Sequence, residues 1–89
     1  MNSIPFENFA DSPTAPALSC FPVTPRDDAD LPAVTKAIYV GTGGDVVLRS
    51  AKGDADVLFR GVPGGSILDV RVRAVRASGT NAADIVGLV

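Results

Sequence analysis

The chain has 89 residues, a net charge of −2, a single cysteine and no histidine. One cysteine excludes a disulfide within the chain, and the absence of histidine removes the commonest metal ligand and neutral-pH base. A chain this short forms one small domain with a modest core, so association with further copies is the remaining source of added stability.

Proline and glycine divide the chain into two parts. Six of the seven prolines lie at or before Pro32, whereas all nine glycines lie from Gly41 onward. Proline pushes the residue before it toward extended geometry, and glycine marks tight turns. We therefore predict an extended Pro-rich arm over residues 1–22 and a small β domain over residues 23–89.

The charge distribution is mild. Residues 1–30 carry five acidic and one basic side chain, whereas residues 31–89 carry five acidic and seven basic ones. Neither balance favours nucleic acid as a partner. No apolar run approaches the roughly 18 residues of a membrane span, and the N-terminus lacks the pattern of a signal peptide. We expect neither nucleic acid nor membrane as a partner.

The arm contains three aromatic residues, Phe6, Phe9 and Phe21. A disordered tail is one interpretation, although such tails are poor in aromatic residues. The other interpretation makes the three phenylalanines anchors that hold the arm against a neighbouring subunit or a partner. Cys20, beside Phe21, is most simply a small apolar contact.

Residues 23–32 form a predicted turn region braced by Pro25 and Pro32. The carboxylates of Asp27, Asp28 and Asp30 can accept hydrogen bonds from nearby backbone amides. A calcium loop is the alternative, but this segment lacks the mid-loop glycine and the distal glutamate of such loops.

The rest of the chain predicts short strands separated by glycine turns. Ser66–Ala74 alternates most clearly, with Leu68 and Val70 on one side and Asp69 and Arg71 on the other. The fold class is therefore all-β: a small antiparallel β-sandwich or barrel of about five or more short strands. The predicted strands are Val34–Val40, Val46–Arg49, Ala55–Val62, Ser66–Ala74 and Asp84–Val89.

The segment Gly41–Asp45, with the sequence GTGGD, is predicted to be a hairpin turn. A phosphate-binding loop is the alternative, but the lysine that should follow its last glycine is absent and no helical pattern comes next. No catalytic, cofactor-binding or metal-binding residues are predicted anywhere in the chain, and no enzymatic activity is expected.

One basic cluster stands out: Arg71, Arg73 and Arg76. Its simplest interpretation is a solvated strand face balanced by Asp69, because exposed charges contribute little to stability. The functional interpretation pairs these arginines with acidic groups of another subunit, such as the acidic turn of a neighbour.

Several segments resemble one known family. The run VTP-x-DDADLP-x-VT-x-AIYVGTGGDV, followed by FRGVPGGSILDVRVRAVRASGT and a short apolar C-terminus, is similar to the head-spike base proteins of gene transfer agents and related tailed phages. The likeness covers about Val23 to Val89. It implies a structural protein that sits on the capsid surface at fivefold vertices and carries a spike fibre.

The resemblance implies further properties. They are a homo-oligomer, with a pentamer favoured, a capsid protein and a spike fibre protein as partners, and synthesis in the bacterial cytoplasm before incorporation into the particle. The predicted subunit or capsid contacts are Phe6, Phe9, Phe21, Arg71, Arg73 and Arg76. Two alternatives remain: another small phage structural subunit (tail-tip, head-completion or fibre-attachment) and a carbohydrate-binding β module.

Overall fold

A computed structural model describes residues 16–89, and these residues form seven β-strands. No helix is found among them, so the predicted all-β class is confirmed. The strands are β1 (Cys20–Val23), β2 (Ala37–Thr42), β3 (Gly44–Ser50), β4 (Val57–Val62), β5 (Ser66–Leu68), β6 (Val72–Arg76) and β7 (Ala83–Leu88).

The seven strands form two antiparallel sheets. The first sheet has four strands in the order β1-β7-β2-β5, and the second has three in the order β4-β3-β6. Every pairing is antiparallel, as predicted. Because the sheets remain separate, the fold is a sandwich and not a closed barrel.

The core lies between the inner faces of the two sheets. Apart from Thr35, the largest fully buried side chains are aliphatic, and in β2 and β3 they alternate along the strand, as in Ile38 and Val40 and in Val46 and Leu48. Val72 and Val75 of β6 complete the centre from the second sheet. Period-two alternation determines which face of β2 and β3 is buried, whereas β6 buries Val72 and Val75 on either side of a register shift.

The prediction of one strand over Ser66–Ala74 is wrong. The structure contains two strands there, β5 in the first sheet and β6 in the second, and the chain crosses between the sheets at residues 69–71. Leu68 and Val70 still pack against the core, and Val72 is fully buried. The alternation continues across the break because Leu68, Val70 and Val72 all face the shared core, and it ends within β6, where Val75 faces the core after a register shift.

The predicted hairpin at Gly41–Asp45 is also wrong. β2 and β3, which flank Gly43, belong to different sheets and do not pair with each other. The segment carries the chain from one layer of the sandwich to the other. A true hairpin joins β3 and β4, which are consecutive and paired.

The predicted C-terminal strand is confirmed and central. β7 lies between β1 and β2, with Val86 opposite both Pro22 and Tyr39. β1 was not predicted, and its residues Cys20–Pro22 fall on the arm side of the expected boundary at residue 23. The division between arm and domain itself stays a prediction, since residues 1–15 lie outside the described part.

The connection between β1 and β2, residues 24–36, runs along the outer edge of β6 and is called the edge loop below. Backbone amides of Arg26, Leu31 and Thr35 donate to the carbonyl oxygens of Val75, Arg73 and Val72, at 2.8, 2.8 and 3.0 Å. The predicted turn region is thus bonded to the second sheet. This loop protects an edge strand that would otherwise present unpaired backbone groups.

Thr35 fixes the end of the edge loop through a buried hydroxyl. Its side chain is fully buried, and its Oγ1 accepts a hydrogen bond from the Val72 amide at 3.2 Å. Thr35→Val keeps the shape but removes the acceptor, so we expect the free energy of unfolding to fall by about 1–3 kcal/mol. Urea unfolding measures the loss, and Thr35→Ser, which retains the hydroxyl, should restore part of it.

Candidate interaction surfaces

The three arginines of the predicted basic cluster do not form one patch. Arg71 is exposed just before β6, whereas the Arg73 guanidinium donates from Nη2 to the Gly53 carbonyl oxygen at 3.2 Å. The Nε of Arg73 is buried without a hydrogen-bond partner among the described residues. Arg73 therefore packs on the turn between β3 and β4, and Arg71 is the member most available to a partner.

Arg76 is engaged within its own chain. Its side chain is only 13% exposed, and its Nε donates to Asp56 Oδ1 at 3.2 Å, an oxygen that also accepts from Arg49 Nε at 2.9 Å. The Nη1 of Arg76 donates to the Ala29 carbonyl oxygen at 3.3 Å, and its Nη2 lies 3.8 Å from Asp30 Oδ1. The acidic turn thus meets an arginine of the same chain.

The carboxylates of the edge loop have separate partners. Asp27 accepts from the Ser78 amide at 2.9 Å and from the Ser78 hydroxyl at 2.6 Å, and these bonds lower the pKa of its carboxyl. Asp28 pairs with Arg26 at 3.0 Å, which lowers the pKa of Asp28 and raises that of Arg26. Within residues 16–89, no three acidic, cysteine or histidine side chains come together to hold a metal ion.

Asp27 makes the stability of the loop pH-dependent. Its folded-state pKa lies below the ordinary value of 3.8, so its contribution is present above about pH 4 and is lost as the pH falls through the folded-state pKa. Asp27→Asn should therefore lower the unfolding midpoint at pH 6 and lower it by less at pH 3. Thermal unfolding at the two pH values checks this, and an equal deficit at both would contradict it.

Phe21 is the only predicted aromatic contact within the described residues, since Phe6 and Phe9 lie outside them. It belongs to β1, is partly buried and packs against the core. A Cβ on Gly87 would lie 2.9 Å from the Phe21 ring, so this glycine leaves room for the ring. Phe21 therefore contributes to the sandwich itself.

A small depression lies between β1 and the edge loop. Phe21, Leu31 and Val75 line it together with Arg26 and Asp30, and its volume is about 190 Å³. Pockets that enclose a small organic ligand usually measure about 300–1,000 Å³. The depression is therefore too small to indicate such a ligand.

Apart from Asp84 at one end of β7, the outer face of the four-stranded sheet is apolar, which sequence reasoning missed. A row of side chains crosses all four strands: Ile67 lies opposite Tyr39, Tyr39 opposite Val86, and Val86 opposite Pro22. Ile67 is 59% exposed and Tyr39 is 37% exposed. Beside it runs a second row, in which Leu88 lies opposite both Ala37 and Cys20.

We call the residues of these two rows the apolar face. None of them is charged, whereas the outer side of the three-stranded sheet carries the ion pairs of Arg49 and Arg76 with Asp56. Exposed apolar surface that crosses a whole sheet is typical of a contact with another protein. The members of the apolar face are Cys20, Pro22, Ala37, Tyr39, Ile67, Val86 and Leu88.

The fold and these surfaces define a small β-sandwich with surfaces suited to protein contacts. No helix that could span a membrane occurs among residues 16–89. No protein-family model matches the chain, and no curated protein matches it.

A solved structure contains a chain that is similar to this one over its whole length. It is described as "Capsid of native GTA particle computed with C5 symmetry", where GTA denotes a gene transfer agent. One of its chains is 38% identical, aligns over 100% of both chains and superposes with a TM-score of 0.82. The protein therefore belongs to the same family as this chain of the gene transfer agent particle. The expected relation to structural proteins of such particles is confirmed, whereas the specific place at the head spike stays a prediction.

Proposed function

We propose that the protein is the base of the head spike, on the capsid surface of a phage or gene transfer agent particle. The observation that carries this proposal is the 38% identity, over all of both chains, to a chain of the native particle's capsid. The resemblance of residues 23–89 to head-spike base proteins supports the finer assignment. In this role the protein links a capsid vertex to a spike fibre and catalyses no reaction.

A ring of five copies suits this role. The related capsid structure is described with C5 symmetry, and a subunit at a capsid vertex meets fivefold symmetry there. Identical subunits that contact one another head to tail form closed rings. A domain this small, without a disulfide, gains stability from such association.

The contact residues proposed from the sequence differ in how available they are. Arg71 is exposed and can pair with an acidic group of the capsid or of a neighbouring copy. Arg73 and Arg76 are largely occupied inside the chain, and Phe21 packs against its own core. We therefore assign the contacts chiefly to Arg71, Phe6 and Phe9.

Gold-labelled antibodies against the protein, applied to purified particles, test the location. We expect label at the capsid vertices, and particles from a strain lacking the gene serve as the control. Label at the tail would overturn the head-spike assignment and favour another small structural subunit.

Native mass spectrometry of the purified protein tests the ring separately. A species of five chains is expected, and its abundance should fall on dilution. A trimer or a persistent monomer at tens of micromolar would overturn the pentamer while leaving the location to the labelling experiment.

A further inference from the structure

We propose that the apolar face binds the N-terminal segment, residues 4–9, of another copy of this chain. The proposal goes beyond the head-spike role and does not depend on it. It rests on the exposed rows of the four-stranded sheet, on the direction in which the chain leaves β1, and on the composition of the N-terminal segment.

Leu18 and Ser19, which precede β1, are held beside the C-terminus of the chain. The amides of Leu18 and Ser19 both donate to the carbonyl oxygen of Val89, at 2.8 and 3.2 Å, and the Val89 amide donates back to Ser19 at 2.8 Å. Leu18 and Ser19 therefore lie beside the last residue of the chain, at the end of β7. A segment that continued straight on from Leu18 would lead away from its own apolar face.

The N-terminal segment is long enough to reach another copy of the chain. The chain from Ser19 back to Phe9 and Phe6, when extended at about 3.3 Å per residue, spans roughly 33 to 43 Å. The domain measures 47 × 26 × 17 Å, so an extended segment is longer than its two shorter dimensions and is long enough to reach an adjacent copy. Pro13 and Pro16 favour extended geometry over the reversal that binding to its own face would require.

The N-terminal segment and the apolar face match each other chemically. The segment offers the apolar side chains of Ile4, Phe6 and Phe9, and the seven residues of the apolar face are uncharged, with Asp84 of β7 beside them. The competing surface is the edge strand β4, where Val57 is 52% exposed and Leu58 is 44% exposed. An edge strand tolerates proline, as Pro22 of β1 shows, but Pro5 would remove one backbone donor from a pairing with β4. The broad face suits this segment better than the edge does.

Cys20 provides a direct readout, because it is the only cysteine, is exposed, and lies within the apolar face. We would measure the rate at which its thiol reacts with an aromatic disulfide, in the full-length protein over a range of concentrations. The comparison is full-length protein carrying both Phe6→Ser and Phe9→Ser. We expect slow modification of the parent at high concentration, and a rate about tenfold higher on dilution or in the double variant, equivalent to ~1.4 kcal/mol of protection.

Two matched substitutions locate the docking surface. Ile67→Thr changes the apolar face and Val57→Thr changes the β4 edge, and both positions are more than half exposed, so neither substitution should unfold the domain. Ile67→Thr should raise the thiol reaction rate and shift the oligomer distribution in native mass spectrometry toward monomer. Val57→Thr should change neither the thiol reaction rate nor the oligomer distribution. If Val57→Thr changes both and Ile67→Thr changes neither, the segment binds at the β4 edge and the proposal is overturned.

The remaining outcomes are equally decisive. A thiol that reacts at one rate in all samples overturns the proposal. If the Cys20 thiol stays protected on dilution, the segment lies on its own chain. If the thiol stays protected in the variant carrying Phe6→Ser and Phe9→Ser, the folded domain of a second copy covers the face instead of its N-terminal segment. Each of these results contradicts the proposal and leaves the gold-labelling test of the head-spike role untouched.

Discussion

Replacing Gly43 with alanine is expected to lower the free energy of unfolding by about 3 kcal/mol, the upper part of the range for atoms forced into packed structure. A Cβ at this position would lie 2.7 Å from the Gly64 nitrogen and 2.7 Å from the Val62 carbonyl oxygen. Both contacts are main-chain atoms of the crossing between β4 and β5, so no side-chain rotation relieves them. Urea unfolding followed by circular dichroism measures the change.

Gly61→Ala is the matched control for this prediction. A Cβ there meets nothing within 4 Å, but the residue has a positive φ of 67°. The left-handed conformation alone costs about 1–2 kcal/mol for a residue with a side chain. If Gly43→Ala destabilises no more than Gly61→Ala, the close backbone approach is not the constraint that requires glycine.

Close contact between main-chain atoms also accounts for the two glycine-rich stretches, which lie at residues 41–44 and 64–65. Both carry the chain between sheets, and they pack backbone against backbone: the Gly65 amide donates to the Val40 carbonyl oxygen at 2.7 Å, and a Cβ on Gly64 would lie 2.9 Å from the Gly41 carbonyl oxygen. The predicted turn after Pro63 is present at Gly64 and Gly65, whereas Gly41–Asp45 lies within β2 and β3 except at Gly43. The sequence did not show that either stretch changes sheet, because glycine is equally suited to a hairpin and to a crossing.

Strand positions were predictable where short apolar runs lie between turn residues. β3, β4 and β7 lie close to their predicted segments for this reason. The break between β5 and β6 was not, because Leu68, Val70 and Val72 all contact one core shared by two sheets. Periodicity reports which way a residue faces, and it does not report which sheet its strand has joined.

The interaction surfaces were less predictable than the fold. Arg76 pairs with Asp56 and lies close to Asp30, both of which are distant from it in the sequence, and no local pattern reveals such pairings. The apolar face likewise exists only once four strands lie side by side. One signal was available: Phe21 and Val23 alternate with Pro22, which indicates a short edge strand that tolerates proline.

Removal of residues 2–22 is expected to destabilise the domain by about 3 kcal/mol or more, whereas removal of residues 2–15 should leave its thermal stability nearly unchanged. The longer deletion removes most of β1, including Phe21, and losing a packed phenylalanine alone costs about 3–5 kcal/mol when it is fully buried. It also exposes the edge of β7 that pairs with β1. Against a total stability of about 5–15 kcal/mol, this loss is large.

Thermal and urea unfolding of both truncated proteins, at concentrations where each is monomeric, measure the difference. Phe21→Ala in the full-length chain separates the contribution of the aromatic ring from that of the β1–β7 hydrogen bonds. If the protein lacking residues 2–22 is as stable as the one lacking residues 2–15, then β1 belongs to the arm and the domain begins at residue 23. If only the longer deletion unfolds, the boundary lies before Cys20, because β7 requires a paired strand on that side and Phe21 above Gly87 to close the core.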